Sequence, residues 1–153
     1  VKDMQGRLAE SVKDLEVAVK LAPDHGDAWF YFANALGRAE RYEESLAAYA
    51  RLNALEPENL DGWLDHADLL LTVKGPEAAL KKLREGAQVH QLHPRYRYRL
   101  VSYLLRLGQE QQALLELEEA LMAEYAGHRQ LLEHYPQAAA MPQVIHLLEL
   151  YKQ

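Results

Sequence analysis

The chain has 153 residues, 49% of them hydrophobic and 26% charged, with a formal net charge of −6 and no cysteine. Such a composition can bury a continuous core, and the lack of cysteine excludes disulfides, thiolate metal sites and a cysteine nucleophile. A net negative chain is poorly matched to nucleic-acid phosphates, no run of about 18 apolar residues exists to span a bilayer, and the opening VKDMQGRLAE lacks the basic-then-apolar layout of a signal peptide.

In chain order, residues 1–5 read as the tail of a preceding helix. From Arg7 to Leu21, the residues Leu8, Val12, Leu15, Val19 and then Ala22 form an apolar helical stripe, stopped by Pro23 and Asp24-His25-Gly26. The stretch DAWFYFANALGRAERYEESLAAYARLNALEP, Asp27 to Pro57, carries two helices. Trp29, Phe32, Ala33 and Leu36 stand at i, i+3, i+4 and i+7 in the first, about Asp27 to Ala39, and Leu46, Tyr49 and Leu52 line the second, about Tyr42 to Leu55. A third helix runs from about Leu60 to Val73, turns at Lys74-Gly75-Pro76 and continues as a fourth to about His90. Pro76 suits a first helical turn, where its missing N–H would have no partner anyway. After Pro94 come helices at about Arg95–Leu107 and Glu110–Ala123, separated by Gly108. In the last stretch Pro136 cannot sit inside a helix without a cost of about 3 kcal/mol. The sequence therefore predicts a short helix at His128–His134, a bend, and a closing amphipathic helix at Pro142–Tyr151 that caps the chain.

These pairs recur at a step of 34 residues: Trp29 to Trp63, Ala33 to Ala67 to Val101, Leu36 to Leu70 to Leu104, and Leu46 to Leu80 to Leu114. Backwards, the same step links Leu46 to Val12, Tyr49 to Leu15 and Pro57 to Pro23. Ser11, Ser45, Ala79 and Ala113 share one register and are all small, which marks a close approach of two helices. With Gly6 at the place of Gly108, the chain opens in mid-unit and reads as a piece of a longer protein.

The pattern resembles the tetratricopeptide repeat (TPR) family, a helix–turn–helix of about 34 residues with a W…L-G…Y…A…F…P signature. The first full unit supplies Trp29, Phe32, Ala33, Leu36, Tyr42, Ser45, Tyr49 and Pro57; the second Trp63, Ala67, Leu70, Ala79 and Leu83; the third Leu100, Leu104, Gly108, Ala113, Leu117 and Ala120. It departs at Arg97, where the family has tryptophan, and at Gln91 and Tyr125, where it has proline. The resemblance covers about residues 1–125. It implies an all-α fold, a right-handed α-solenoid, as one TPR-like domain: a partial repeat at 1–23, repeats at 26–59, 60–93 and 94–127, and a degenerate repeat or cap at 128–153.

The family binds partner peptides in the groove lined by its first helices, which implies a non-catalytic module that holds a protein or peptide segment. The groove-facing positions would be Phe30, Asn34 and Arg38, then Asp61, Leu64, Asp65 and Asp68, then Arg95, Tyr98, Arg99, Ser102 and Arg106. The arginines would meet carboxylates, the aspartates basic groups, and Phe30 and Tyr98 would anchor apolar side chains. Alternatively Asp61 pairs with Arg95 and Asp65 with Arg99, and the face is merely solvated. The family's carboxylate clamp is matched at Asn34, Arg95 and Arg99 but opposed by Phe30 and Asp65. The other class of reading is a structural or self-assembling element, continuing a longer array or pairing into a homodimer through the exposed N-terminal helix.

No cofactor or metal is called for. His90-x-x-His93 has helical ligand spacing but precedes Pro94 and lacks a fixed third ligand, while His66 shares the packing register of Phe32 and Leu100. Phosphate loops, nucleophile elbows and HExxH are absent, and Glu43-Glu44 and Glu118-Glu119 lie on outer helical faces. Tyr96, Tyr98 and Tyr103 among four arginines are the one feature suited to stacking on bases, set against the negative chain. The compartment is left open, with the cytoplasm favoured.

Overall fold

The structure, a computed structural model, describes residues 2–152. Its helices gather into two compact units, Val1–Val73 and Lys74–Gln153.

In the first unit, α1 (Lys2–Leu21) is one uninterrupted helix. Residues 2–5 are thus its opening turn and not the tail of a separate helix, and Gly6 lies within it instead of at a bend; the expectation for Val1 falls outside the described residues. A lone glycine costs a helix only about 1 kcal/mol against alanine, which a helix of 20 residues tolerates. Val12 and Val19 are buried beneath α2 (Gly26–Arg38) and α3 (Tyr42–Leu55), with Leu8 and Leu15 packed beside them. The shared core is Phe32, Ala33, Ala35, Leu36, Ala48, Tyr49 and Leu52. Helices α2 and α3 touch closely at Ser45, which is wholly buried and donates its hydroxyl to the Ala33 carbonyl at 2.6 Å.

The turn between them explains why the pair can be so tight. Arg41 N–H donates to Leu36 O at 2.9 Å and Glu40 N–H to Gly37 O at 3.0 Å, the paired bonds of a Schellman stop, with Glu40 in the left-handed region at φ 61°. Next comes α4 (Leu60–Lys74), whose first turn is capped by Asn59: its side-chain oxygen accepts from Gly62 N–H at 3.2 Å. His66 of α4 is buried, its Nδ1 2.6 Å from Asn53 Oδ1 and its ring stacked on Tyr49 at 5.8 Å. The register thus put His66 correctly among packing residues satisfied by a neighbour.

The second unit contains α5 (Pro76–Glu85), α6 (Ala87–His90), α7 (Pro94–Arg106), α8 (Glu110–Ala123), α9 (His128–His134) and α10 (Pro142–Tyr151), with 3-10 turns at Tyr125–Gly127 and Pro136–Ala140. The helix expected to run unbroken to His90 stops at Gly86, where the ladder tightens to Gly86 N–H on Leu83 O at 3.1 Å. Glycine there removes the side chain that would have held the helix straight, and the chain restarts as α6. The α7–α8 turn repeats the Schellman stop, with Gln109 N–H on Leu104 O and Gly108 N–H on Leu105 O, both 3.0 Å, and Gly108 at φ 74°. Ala79 and Ala113 are as fully buried as Ser45. The short α9, the bend after it and the closing α10 stand where the sequence placed them.

One local bond recurs at three steps of the register. Trp29 Nε1 donates to Pro23 O and Trp63 Nε1 to Pro57 O, each at 2.8 Å. Arg97, at the next step of the register, donates Nε to Gln91 O at 3.1 Å. The fold is the expected all-α helical repeat of the solenoid class, made of paired antiparallel helices.

Candidate functional site

The first-helix faces are the places to look for a ligand. In the first unit these belong to α2 and α4. Asn34 and Arg38 are exposed on α2, as is Asp61 on α4; Asp65 and Asp68 are half-buried, and Phe30 packs partly against the core with its ring edge-on to Tyr31 at 5.7 Å. Leu64 was expected on the open side but is only 2% exposed, because the α4 stripe is wide enough to carry it into the interior.

Between these two helices in the chain stands Tyr49, a residue that periodicity assigned to the core. It is buried on α3, in the field of Asp65 and Asp68. Burial pushes the phenol up to about 12, the charge of Asp65 adds to this, the Asn34 hydrogen bond opposes it, and Asp68 contributes a smaller upward push. Tyr49 therefore stays a neutral hydrogen-bonding group at physiological pH. Asn34 on α2, Tyr49 on α3 and Asp61, Asp65 and Asp68 on α4 give this unit an amide, a phenol and three carboxylates from three successive helices. Such a set attracts ammonium and guanidinium groups and hydrogen-bonds backbone amides; it contains no nucleophile paired with a base. Asn34 and Arg38 also border a cleft of about 520 Å³ against Arg7, Ser11 and Asp14 of α1.

The second unit treats its first-helix face differently. Tyr98 and Ser102 of α7, expected to point into an open groove, are 1% and 0% exposed. The Tyr98 hydroxyl donates to Glu124 O at 2.6 Å, and its ring lies so close to Gly127 that an added Cβ there would sit 2.5 Å from it. Ser102 Oγ is 2.5 Å from His134 Nδ1. Arg106 donates to the His134 carbonyl at 2.8 Å and lies 4.8 Å over the Tyr135 ring. The Tyr125–Gly127 turn and α9 thus occupy this face, and Tyr98, Ser102 and Arg106 hold the C-terminal segment in place. Arg95 and Arg99 remain half-buried on α7.

The other chemistry resolves in packing. Tyr96, Tyr98 and Tyr103 are all buried, so none offers a ring face to a base; burial pushes Tyr96 up to about 12, and its hydroxyl donates to Leu83 O at 3.0 Å. His93 Nδ1 accepts from Arg95 N–H at 3.2 Å and so caps α7, the role Asn59 plays one repeat earlier. Among the described residues no group of three His, Cys, Asp or Glu side chains is placed to hold a metal ion, and no helix is long and apolar enough to cross a membrane.

Paired helices with recurring Schellman stops, small-residue contacts and the tryptophan bond define a tetratricopeptide-type helical-repeat fold. Among solved structures, MamA matches 98% of this chain and 90% of its own with a TM-score of 0.70 at 9% identity. YrrB, a TPR protein with an unusual peptide-binding site, matches 95% of this chain and 77% of its own with a TM-score of 0.64 at 15% identity. A further MamA structure, MSR-1 C2, reaches 18% identity with a TM-score of 0.58, over 96% of this chain and 90% of its own. At these identities the likeness is one of fold. No family model and no curated protein matches the sequence.

Proposed function

We propose that the chain is a non-catalytic protein-interaction module whose α2–α4 face takes a basic, extended segment of a partner protein. The observation that carries this reading is the placement of three carboxylates, Asp61, Asp65 and Asp68, along α4, with Asn34 and Arg38 exposed on α2 of the same unit. Asp61 would extend the acidic strip along α4, and Phe30 would receive an apolar side chain next to the basic ones. The likeness to YrrB, which has a peptide-binding site, supports the choice of ligand class. The reading rests on α2 and α4 alone.

Titration of the full chain with a labelled extended peptide of alternating lysine or arginine and small residues, carrying one Leu or Phe, tests it. The expected result is saturable binding that weakens with salt and falls by about tenfold or more in Asp65→Asn/Asp68→Asn. Equal affinity for the wild type and that double variant would overturn the reading.

A second reading, self-association through α1, draws on the exposure of Val17 and Leu21, one helical turn apart. The stripe expected to mediate it, Val12 and Val19, is already buried in the core. A mass that rises with concentration and returns to that of a monomer in Val17→Glu/Leu21→Glu would favour it.

A further inference from the structure

Away from the first-helix faces, α8 and α10 enclose an open cleft of about 680 Å³. Leu114 and Leu115 of α8 and Leu147 of α10 form its walls, Pro142 closes one end, and Glu118 and His146 stand among the lining residues. Apolar residues continue past it on both helices. Leu115 and Met122 lie seven residues apart on α8 and are 70% and 57% exposed; Leu150, three beyond Leu147, is 60% exposed. Leu115, Met122 and Leu150, uncovered beside an apolar cleft whose Leu147 wall is itself buried, form the kind of patch that marks a docking surface, because each retains most of its favourable transfer from water for a partner.

The charge on the two helices is predominantly acidic, with Lys152 following at the end of α10. Helices α8 and α10 carry Glu110, Glu116, Glu118, Glu119 and Glu149 and contain no lysine or arginine. Glu119 is engaged by Arg97 at 3.4 Å, and Glu118 places a carboxylate among the residues that line the cleft. The ten residues of α10 give a wall roughly 15 Å long at 1.5 Å per residue, enough for about three turns of a helix laid alongside.

The geometry points to a second interaction site on this face, which receives an amphipathic helix of a partner protein with Leu or Ile at i, i+3 or i+4 and i+7 and with Lys or Arg on its flanks. The apolar stripe enters between Leu115 and Leu147 and covers Leu150, while the basic flanks meet Glu118 and its neighbours. A helix suits the site because the exposed Leu115 and Met122 recur at helical spacing along α8, with Leu150 exposed on α10, whereas an extended strand would present its side chains at a period of two.

Fluorescence anisotropy on the full chain with two synthetic helical peptides tests this. The peptides share one leucine stripe, flanked by lysine in one and by glutamate in the other. The lysine peptide is expected to bind saturably, at least about tenfold more tightly than the glutamate peptide, and to lose about tenfold or more in Leu115→Lys and in Leu150→Lys. Both substitutions fall on exposed positions, so thermal melts should be unchanged; Asp65→Asn/Asp68→Asn should leave this binding intact, which separates the site from the α2–α4 face. Equal binding of the two peptides, or binding indifferent to both leucine variants, would overturn the inference. So would a wild-type dimer that Leu115→Lys converts to monomer, since a second copy would then be the occupant.

Discussion

Arg97 stands to Gln91 as Trp63 stands to Pro57: a side-chain N–H reaches back six residues to a carbonyl, at 3.1 Å in one case and 2.8 Å in the other. The aromatic ring is gone but its hydrogen bond survives. Arg97 also reaches Glu119 at 3.4 Å, a pair too exposed at the Glu119 end to add more than about 1 kcal/mol. Replacing Arg97 by Met should therefore cost about 1–3 kcal/mol, mostly from the lost charge-assisted bond to the carbonyl. Glu119→Gln should cost under about 1 kcal/mol. Urea unfolding midpoints of the two variants check the ordering.

Glu40 and Gly108 end their helices with the same two backbone bonds, one at φ 61° and the other at φ 74°. A side chain in that region costs roughly 1–2 kcal/mol, and glycine returns part of this as unfolded-state entropy. Glu40→Gly should accordingly stabilise by about 0.5–1 kcal/mol. Gly108→Ala should destabilise by about 1–2 kcal/mol through backbone strain alone, because nothing lies within 4 Å of the added Cβ. Thermal melts of the two single variants should move in opposite directions.

Ser45, Ala79 and Ala113 hold one register in three helices, and only the serine adds a hydrogen bond, to Ala33 O. That carbonyl lies within α2 and keeps its place in the helix ladder without Ser45. Ser45→Ala should thus change stability by no more than about 1.5 kcal/mol. Ser45→Leu must push α2 away and should cost about 3 kcal/mol or more. Chemical denaturation distinguishes a contact set by volume from one set by the hydroxyl.

Burial pushes the Tyr49 and Tyr96 phenols up to about 12, above the ordinary 10.0 of a tyrosine in water. Between those values the unfolded chain has released protons that the folded chain retains, so stability is full below pH 10 and is lost as pH rises toward 12. Each tyrosine contributes a loss on the order of 1–3 kcal/mol across the window. Tyr96→Phe should flatten the decline in unfolding free energy measured at pH 8, 10 and 11.5. A decline equally steep in the variant would show that Tyr96 is not a source.

The parts of the fold legible in the sequence are those fixed by local chemistry. A single step of 34 found Trp29 and Trp63 in matching bonds and the small residues of the α2–α3 and α7–α8 contacts. Periodicity failed where an apolar stripe is wide or a distant segment intervenes. It assigned Tyr49 to the core, where the structure has it, and placed Leu64 on the open side, where the structure buries it. It placed Tyr98 and Ser102 on an open face because spacing tells which side of α7 they occupy but not that the Tyr125–Gly127 turn and α9 lie on that side. The break at Gly86 was missed since one glycine is as compatible with a tolerated helical residue as with a stop, and Gly6 shows the other outcome.

Amide chemical-shift mapping by NMR, with the full chain titrated by an extended lysine- and arginine-rich peptide, tests the role of the α2–α4 face most directly. The expected result is saturable movement centred on Asn34, Tyr49, Asp65 and Asp68, abolished in Asp65→Asn/Asp68→Asn. Shifts confined to other helices, or none that saturate, would contradict it.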